Sequence, residues 1–333
     1  MRTDLPSLRD LTTSAHVVAL PLVTPFRGIT VREAILLRGP EGWTEFSPFV
    51  EYDDAEASAW LAAAIEFGWL EPPTPVRDLI LVNATVPAVA PAAVAGVLAR
   101  FDGCRTAKVK VAAGDQTLAD DVARVRAVRD RLGPDGRVRI DANGGWNVDQ
   151  AERAIHALAE FDLEYAEQPC ATVPELAELR ERIAYLDIPI AADESIRRSD
   201  DPFAVAEASA ADLLVLKAQP LGGIRRALSI AATTGLAANV SSALDTSVGL
   251  SMGAALAAAL PDLPYDCGLG TAALLAADVV RAPLGPVRGA IPVARATADS
   301  ELLERWAAAS DRQTWWMARL ARCFEQLDAA KWP

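Results

Sequence analysis

Short apolar runs recur along this chain roughly every 25 residues, each followed by a turn signal and then an amphipathic stretch. Leu79–Asn83, Thr106–Val111, Val138–Ile140, Leu163–Ala166, Ile188–Ala192, Leu213–Leu216, Ala238–Ser242 and Leu263–Cys267 read as eight strands. Between them, 116–132, 149–160, 174–185, 202–210 and 223–234 are rich in Ala, Leu, Glu and Arg. Their apolar residues fall at three- and four-residue spacing, which predicts helices. The Ala-rich pieces Val86–Ala99 and Ala254–Ala259 read as helices too, with Pro87 and Pro91 in a loop or first turn. Repeated strand–turn–helix units of this length predict an α/β fold of TIM-barrel type over residues 77–272.

The pattern differs on either side. In residues 1–76, Val17–Leu20, Thr30–Leu37 and Trp43–Phe46 are alternating or β-branched runs, and Glu56–Phe67 is helical in pattern. This predicts an α+β domain, joined to the barrel by the stiff segment Pro72-Pro73-Thr74-Pro75. Residues 273–333 hold Gly- and Pro-rich turns and one helical stretch, Asp299–Leu327, expected to pack back on the first domain.

Charge enters this frame at one end of the strands. Asp141, Glu167 and Asp193 each follow an apolar run, with gaps of 26 residues, and Lys217 ends the next run. Lys108 and Lys110 share one face of an alternating strand. Three acids and three lysines therefore point at one mouth. Acids that close repel unless a cation compensates, and three hard oxygen donors suit Mg²⁺. Lysine becomes a base when burial and nearby cations lower its pKa. The chain has two histidines, and His16 and His156 both lie away from the strand ends, which leaves the acid/base work to lysine. A cation that chelates a carboxylate acidifies the neighbouring C–H, so the pattern points to proton abstraction alpha to a carboxylate.

Composition narrows the alternatives. The net charge of −13 argues against a nucleic-acid partner, and leaves attraction of an anionic substrate to local cations and helix N-termini. No apolar run reaches membrane-spanning length free of charge or proline, and no secretory signal opens the chain. Cys104, Cys170, Cys267 and Cys323 lack metal-type spacing and read as reduced thiols of a cytoplasmic protein.

Lys108-Val-Lys110, Asp141-Ala-Asn143, Glu167-Gln168-Pro169, Asp193-Glu194-Ser195 and Lys217 resemble the motifs of the enolase superfamily, muconate-lactonizing subgroup. The resemblance implies a capping α+β domain on a modified (β/α)₇β barrel. It implies that Asp141, Glu167 and Asp193 bind Mg²⁺, with Mn²⁺ able to substitute. Lys110 would be the main acid/base, Lys108 its neighbour on the carboxylate side and Lys217 the group facing the opposite side of the substrate. Asn143 and Glu194 would support the ligands. Within that subgroup, Gly42–Phe49, Arg139–Asn143 and Lys217–Gly223 resemble the o-succinylbenzoate synthases, the dehydratases of menaquinone biosynthesis. The small-molecule partner implied is a dicarboxylate.

The same residues admit rivals. A racemase of N-succinylamino acids needs a lysine on each face, which this set supplies. A dipeptide epimerase is disfavoured, because Asp266-Cys267-Gly268 lacks the second Asp of its Asp-x-Asp motif. A non-catalytic binding protein is a more distant reading. Gly268-Leu-Gly270 resembles a dinucleotide fingerprint, but without further βαβ units it reads better as an anion-holding turn. Gly222, Gly223 and Ser242 are expected to hold the substrate's second carboxylate in the same way. The loop 23–28 is expected to close over the mouth, with Phe26 excluding water.

Overall fold

The computed structural model describes residues 5–197 and 202–327. Its first unit is an antiparallel sheet of strands His16–Phe26, Ile29–Gly39 and Gly42–Phe46, covered by helix Asp54–Trp69. Phe26 pairs directly with Ile29 across Arg27 and Gly28, both at positive φ (49° and 78°). That is the geometry of a two-residue turn matched to strand twist. The segment expected as a loop is therefore the tip of a long ribbon. Its register shifts between Pro21 and Phe26, where prolines 21 and 25 lack the N–H a ladder needs. Helix and sheet meet closely at two glycines: a Cβ on Gly39 would lie 2.1 Å from the Gly68 carbonyl.

The second unit is the barrel. Seven parallel strands, Ala84–Val86, Thr106–Lys110, Arg137–Asp141, Leu163–Glu167, Ile190–Ala192, Leu213–Leu216 and Ala237–Val240, neighbour one another in chain order. Single bridges from Ser241 to Gly268 and from Val82 to Cys267 close the ring, so an eighth strand survives only as residues 267–268. Pro264 removes a donor from the longer strand expected over 263–267. The first strand also differs from expectation. Leu79–Leu81 pairs antiparallel with Ala290–Pro292 outside the barrel, and the ladder begins at Ala84. The turn between them is held by Val82 N–H on the Gly289 carbonyl and Asn83 N–H on Cys267, both at 2.9 Å.

Helices Leu118–Leu132, Val148–Leu158 and Val173–Arg182 begin at reciprocal capping boxes, Thr117/Asp120, Asn147/Gln150 and Thr172/Glu175. The expected helix 202–210 shrinks to one turn, Ala204–Glu207. Val86–Ala99 is helical only in its second half: a strand ends at Val86, and Pro91–Ala93 and Val94–Leu98 coil. The tail forms two helices, Ser300–Arg305 and Ser310–Glu325, rather than one. The second lies against Asp54–Trp69. Its Arg319 donates to the carbonyls of Phe49 and Tyr52 at 3.2 and 2.5 Å, fixing the loop that follows the third strand. Among the described residues, no helix is long and apolar enough to cross a membrane.

Candidate active site

Register gathers the charges at the C-terminal mouth of the barrel. Lys110 pairs across the ladder with Asp141, and Asp141 with Glu167. Glu167 pairs with Ala191, which places Asp193 two residues on, at the same rim. Lys217 follows strand Leu213–Leu216 directly. The side chains of Asp141, Glu167 and Asp193 have no exposure, and those of Lys108, Lys110 and Lys217 keep 5%, 15% and 10%.

Charges this deep cost several kcal/mol each unless paired, and every one is paired. Lys108 Nζ donates to both Glu167 oxygens at 2.8 and 2.9 Å and lies 3.4 Å from Asp141 Oδ2. Lys110 Nζ reaches Asp141 Oδ2 at 2.5 Å and Asn143 Oδ1 at 2.7 Å. Lys217 Nζ donates to Asp193 Oδ2. Asn143 sits at φ 47°, where Asn is tolerated, and its amide N–H donates to Asp141 Oδ1 at 3.0 Å. Its Nδ2 donates to Glu194 Oε1 at 3.1 Å.

The two strand lysines separate electrostatically. At Lys108 burial favours the neutral amine, but Glu167 and Asp141 outweigh it and hold the ammonium well above the ordinary lysine range. At Lys110 burial prevails over the attraction of Asp141, with the charge of Lys108 acting in the same direction, and its pKa falls. Glu167 is pushed up to about 7 by burial and by the charge of Asp141. Burial also acts to raise Asp193, but Lys217 and Arg197 overcome it and hold the carboxyl at about 2.

Among the described residues, no three His, Cys, Asp or Glu side chains form a ready cation cage, because lysine ammonium groups stand between the acids. The donor set still fits a hard divalent cation. It is all carboxylate, wholly buried, and each acid is matched by a cationic side chain that a metal ion could displace.

Other expected contacts fall differently. Phe26 lines the pocket, its ring centroid 5.6 Å from Lys110 Nζ. Ser242 lines it as well, its hydroxyl 2.7 Å from that of Thr271. Gly222 and Gly223 do not. The helix they precede, Ile224–Thr234, already has its anion: the amides of Ile224 and Arg225 both donate to Glu66 Oε1 at 3.1 Å, and Glu66 belongs to the cap. A Cβ on Gly223 would lie 2.1 Å from Glu66 Oε2, so glycine is needed there for the close approach. Gly268 and Gly270 also miss the pocket, packed instead against Ser241 and against Asn83 and Phe101; Thr271 lines it in their place.

Three further groups escaped the sequence reading. Gln168 accepts from the amides of Asp193 and Ser195 at 2.9 and 3.2 Å, fixing the turn that carries Asp193. Arg197 donates to Asp193 Oδ1 at 3.0 Å and to Glu194 Oε1 at 2.6 Å. Its four- and three-residue spacing from those acids was the available signal. Tyr52, from the cap, had no local signal. Its hydroxyl accepts from Arg197 at 3.2 Å.

Comparison with known proteins agrees with this geometry. Residues 17–68 match the model "Enolase N-terminal domain-like" and residues 90–297 match "Enolase C-terminal domain-like". The o-succinylbenzoate synthase of Thermobifida fusca is 57% identical over 92% of this chain and 95% of its own. That of Mycobacterium tuberculosis H37Rv is 55% identical over 97% of both chains, and that of Mycobacterium leprae 54% over 97% and 95%. Among solved structures, muconate lactonizing enzyme from Pseudomonas fluorescens shares the fold at TM-score 0.75 and 23% identity, over 89% of this chain and 98% of that one. The chain belongs to the o-succinylbenzoate synthase family, built on the enolase-type capped barrel.

Proposed function

We propose that this chain removes water from 2-succinyl-6-hydroxy-2,4-cyclohexadiene-1-carboxylate to give o-succinylbenzoate, a step of menaquinone biosynthesis. The observation that carries the reading is the row of three buried carboxylates with Lys108 and Lys110 on one strand and Lys217 on another, in a chain 57% identical to a named o-succinylbenzoate synthase. Asp141, Glu167 and Asp193 would hold Mg²⁺, which when bound supplies a Lewis acid for the charge that develops on the substrate carboxylate.

The chain's own groups do the rest. Lys110, neutral, takes the proton from the carbon beside the ring carboxylate. Lys108, held charged by Glu167 and Asp141, keeps a positive charge on that side. Lys217 offers an ammonium from across the row of acids. Lys110 then returns its proton to the departing hydroxide. One base on one face suffices when proton and hydroxyl leave from the same side, and the aromatic ring of the product drives departure. The free space in the pocket is about 30 Å³, room for a water rather than a substituted ring. Admission of substrate therefore requires part of the pocket lining to move.

Dehydration and racemisation of N-succinylamino acids, measured on one preparation, test the proposal. Dehydration is expected to dominate in kcat/KM and to vanish on exhaustive chelation, returning with Mg²⁺. Faster racemisation, or activity that survives chelation, would refute it.

A further inference from the structure

We infer that Arg27 recognises the second carboxylate of the substrate, gripping the far end of the succinyl tail from the cap side of the pocket. The inference rests on the dicarboxylate reading above. A dianion needs two anion sites, and only one lies among the lysines. The helix N-termini that a barrel ordinarily offers beside its last strands are taken. Glu66 accepts from the amides that open Ile224–Thr234. Glu45 accepts at 3.1 Å from the amides of Thr246 and Gly249 at the start of Ser247–Ala259. Both are cap carboxylates, so neither terminus remains for a ligand.

Arg27 stands where an anion would be met. It occupies the left-handed position of the ribbon turn and lines the same pocket as Lys110 and Lys217. Its guanidinium lies 4.6 Å from the centroid of the Phe49 ring, which stacks it in place. That platform is itself fixed, since Arg319 binds the Phe49 carbonyl. Nη1 donates to the Tyr52 hydroxyl at 3.3 Å, the same oxygen that Arg197 reaches at 3.2 Å. Two guanidinium groups thus converge on one hydroxyl oxygen. Their commitments differ. Arg197 is bound to Asp193 and Glu194, whereas Arg27 has a loose pair with the half-exposed Glu51 at 3.9 Å. A pair of that kind is worth little and yields readily to a better one. Arginine stays charged at any working pH and offers a bidentate fork matched to a carboxylate.

The test compares two ligands by calorimetry on the Mg²⁺-loaded protein: o-succinylbenzoate, and 2-butanoylbenzoate, in which a methyl group replaces the tail carboxylate. The wild type should prefer the first by about ten- to hundredfold, the range of a charge-assisted contact. Arg27→Met should lose that preference while binding 2-butanoylbenzoate within about twofold of the wild type, and Arg27→Lys should recover part of it. In turnover, Arg27→Met should raise KM far more than it lowers kcat. An Arg27→Met protein that still prefers o-succinylbenzoate overturns the inference, as does one that weakens both ligands equally. Failure of the wild type to bind either ligand overturns the dicarboxylate reading itself, and this inference with it.

Discussion

Lys108 and Lys110 are two residues apart and chemically identical, one buried and the other nearly so, yet their neighbours assign them different tasks. Two carboxylates hold Lys108 as an ammonium, and Lys110, with one carboxylate and a cationic neighbour, gives up its proton more readily. Lys110→Ala should therefore lower dehydration by ~10²–10⁴-fold, the usual worth of a positioned general base. It should also stop exchange of the alpha proton with deuterated solvent, read by NMR. Persistence of exchange at the wild-type rate would place the base elsewhere. The strand lysines and the three acids were legible in the sequence because strand periodicity places alternate residues on one face. Arg197 left only a spacing clue, and Gln168, at the preceding strand's end, reaches over to the turn of Asp193 and left no clue beyond its place beside Glu167. Tyr52 left none, because it arrives from a separate domain.

Elements dock here through their ends. The cap supplies Glu66 and Glu45 to the N-termini of two barrel helices, so the two units are joined by charge-assisted hydrogen bonds at the mouth. Glu66→Ala would strip the Ile224 and Arg225 amides of their acceptor in a buried place. The expected cost is about 1–3 kcal/mol, read as a lower urea midpoint. Glu66→Gln keeps an acceptor oxygen and should recover most of the loss. If Glu66→Ala is as stable as the wild type, the contact contributes nothing to docking. The glycines before Ile224 looked like a ligand turn in the sequence. Their local geometry suits an anion, and nothing local revealed that the anion is a side chain some 160 residues earlier.

At the scale of the whole molecule, the cap–barrel interface carries a pH dependence. Asp245 is buried beside Glu45, with Arg32 as its counter-charge, and its Oδ1 has no hydrogen-bond partner among the described residues. Burial first, and then the charge of Glu45, push it up to about 7 from an ordinary 3.8. An unfolded chain gives up this proton near its ordinary pKa while the folded chain retains it. The unfolded state thus binds fewer protons between those values, and stability falls as pH rises from about 4 to about 7. Asp245→Asn should remove that decline, flattening urea midpoints over pH 5–8 relative to the wild type. An equal slope in both proteins would mean that another group titrates.

The sequence alone determined the barrel's repeat, most of its helices and the row of acids and lysines, because each depends on local periodicity or on the few residues around a strand end. Tertiary structure decided where the eighth strand shrinks to a bridge, why Leu79–Leu81 leaves the barrel, and which anion sits on each helix N-terminus. It also decided that Arg27 meets the pocket. Those outcomes turn on contacts between residues far apart in the chain, and no local pattern encodes which distant backbone or side chain will satisfy a given donor.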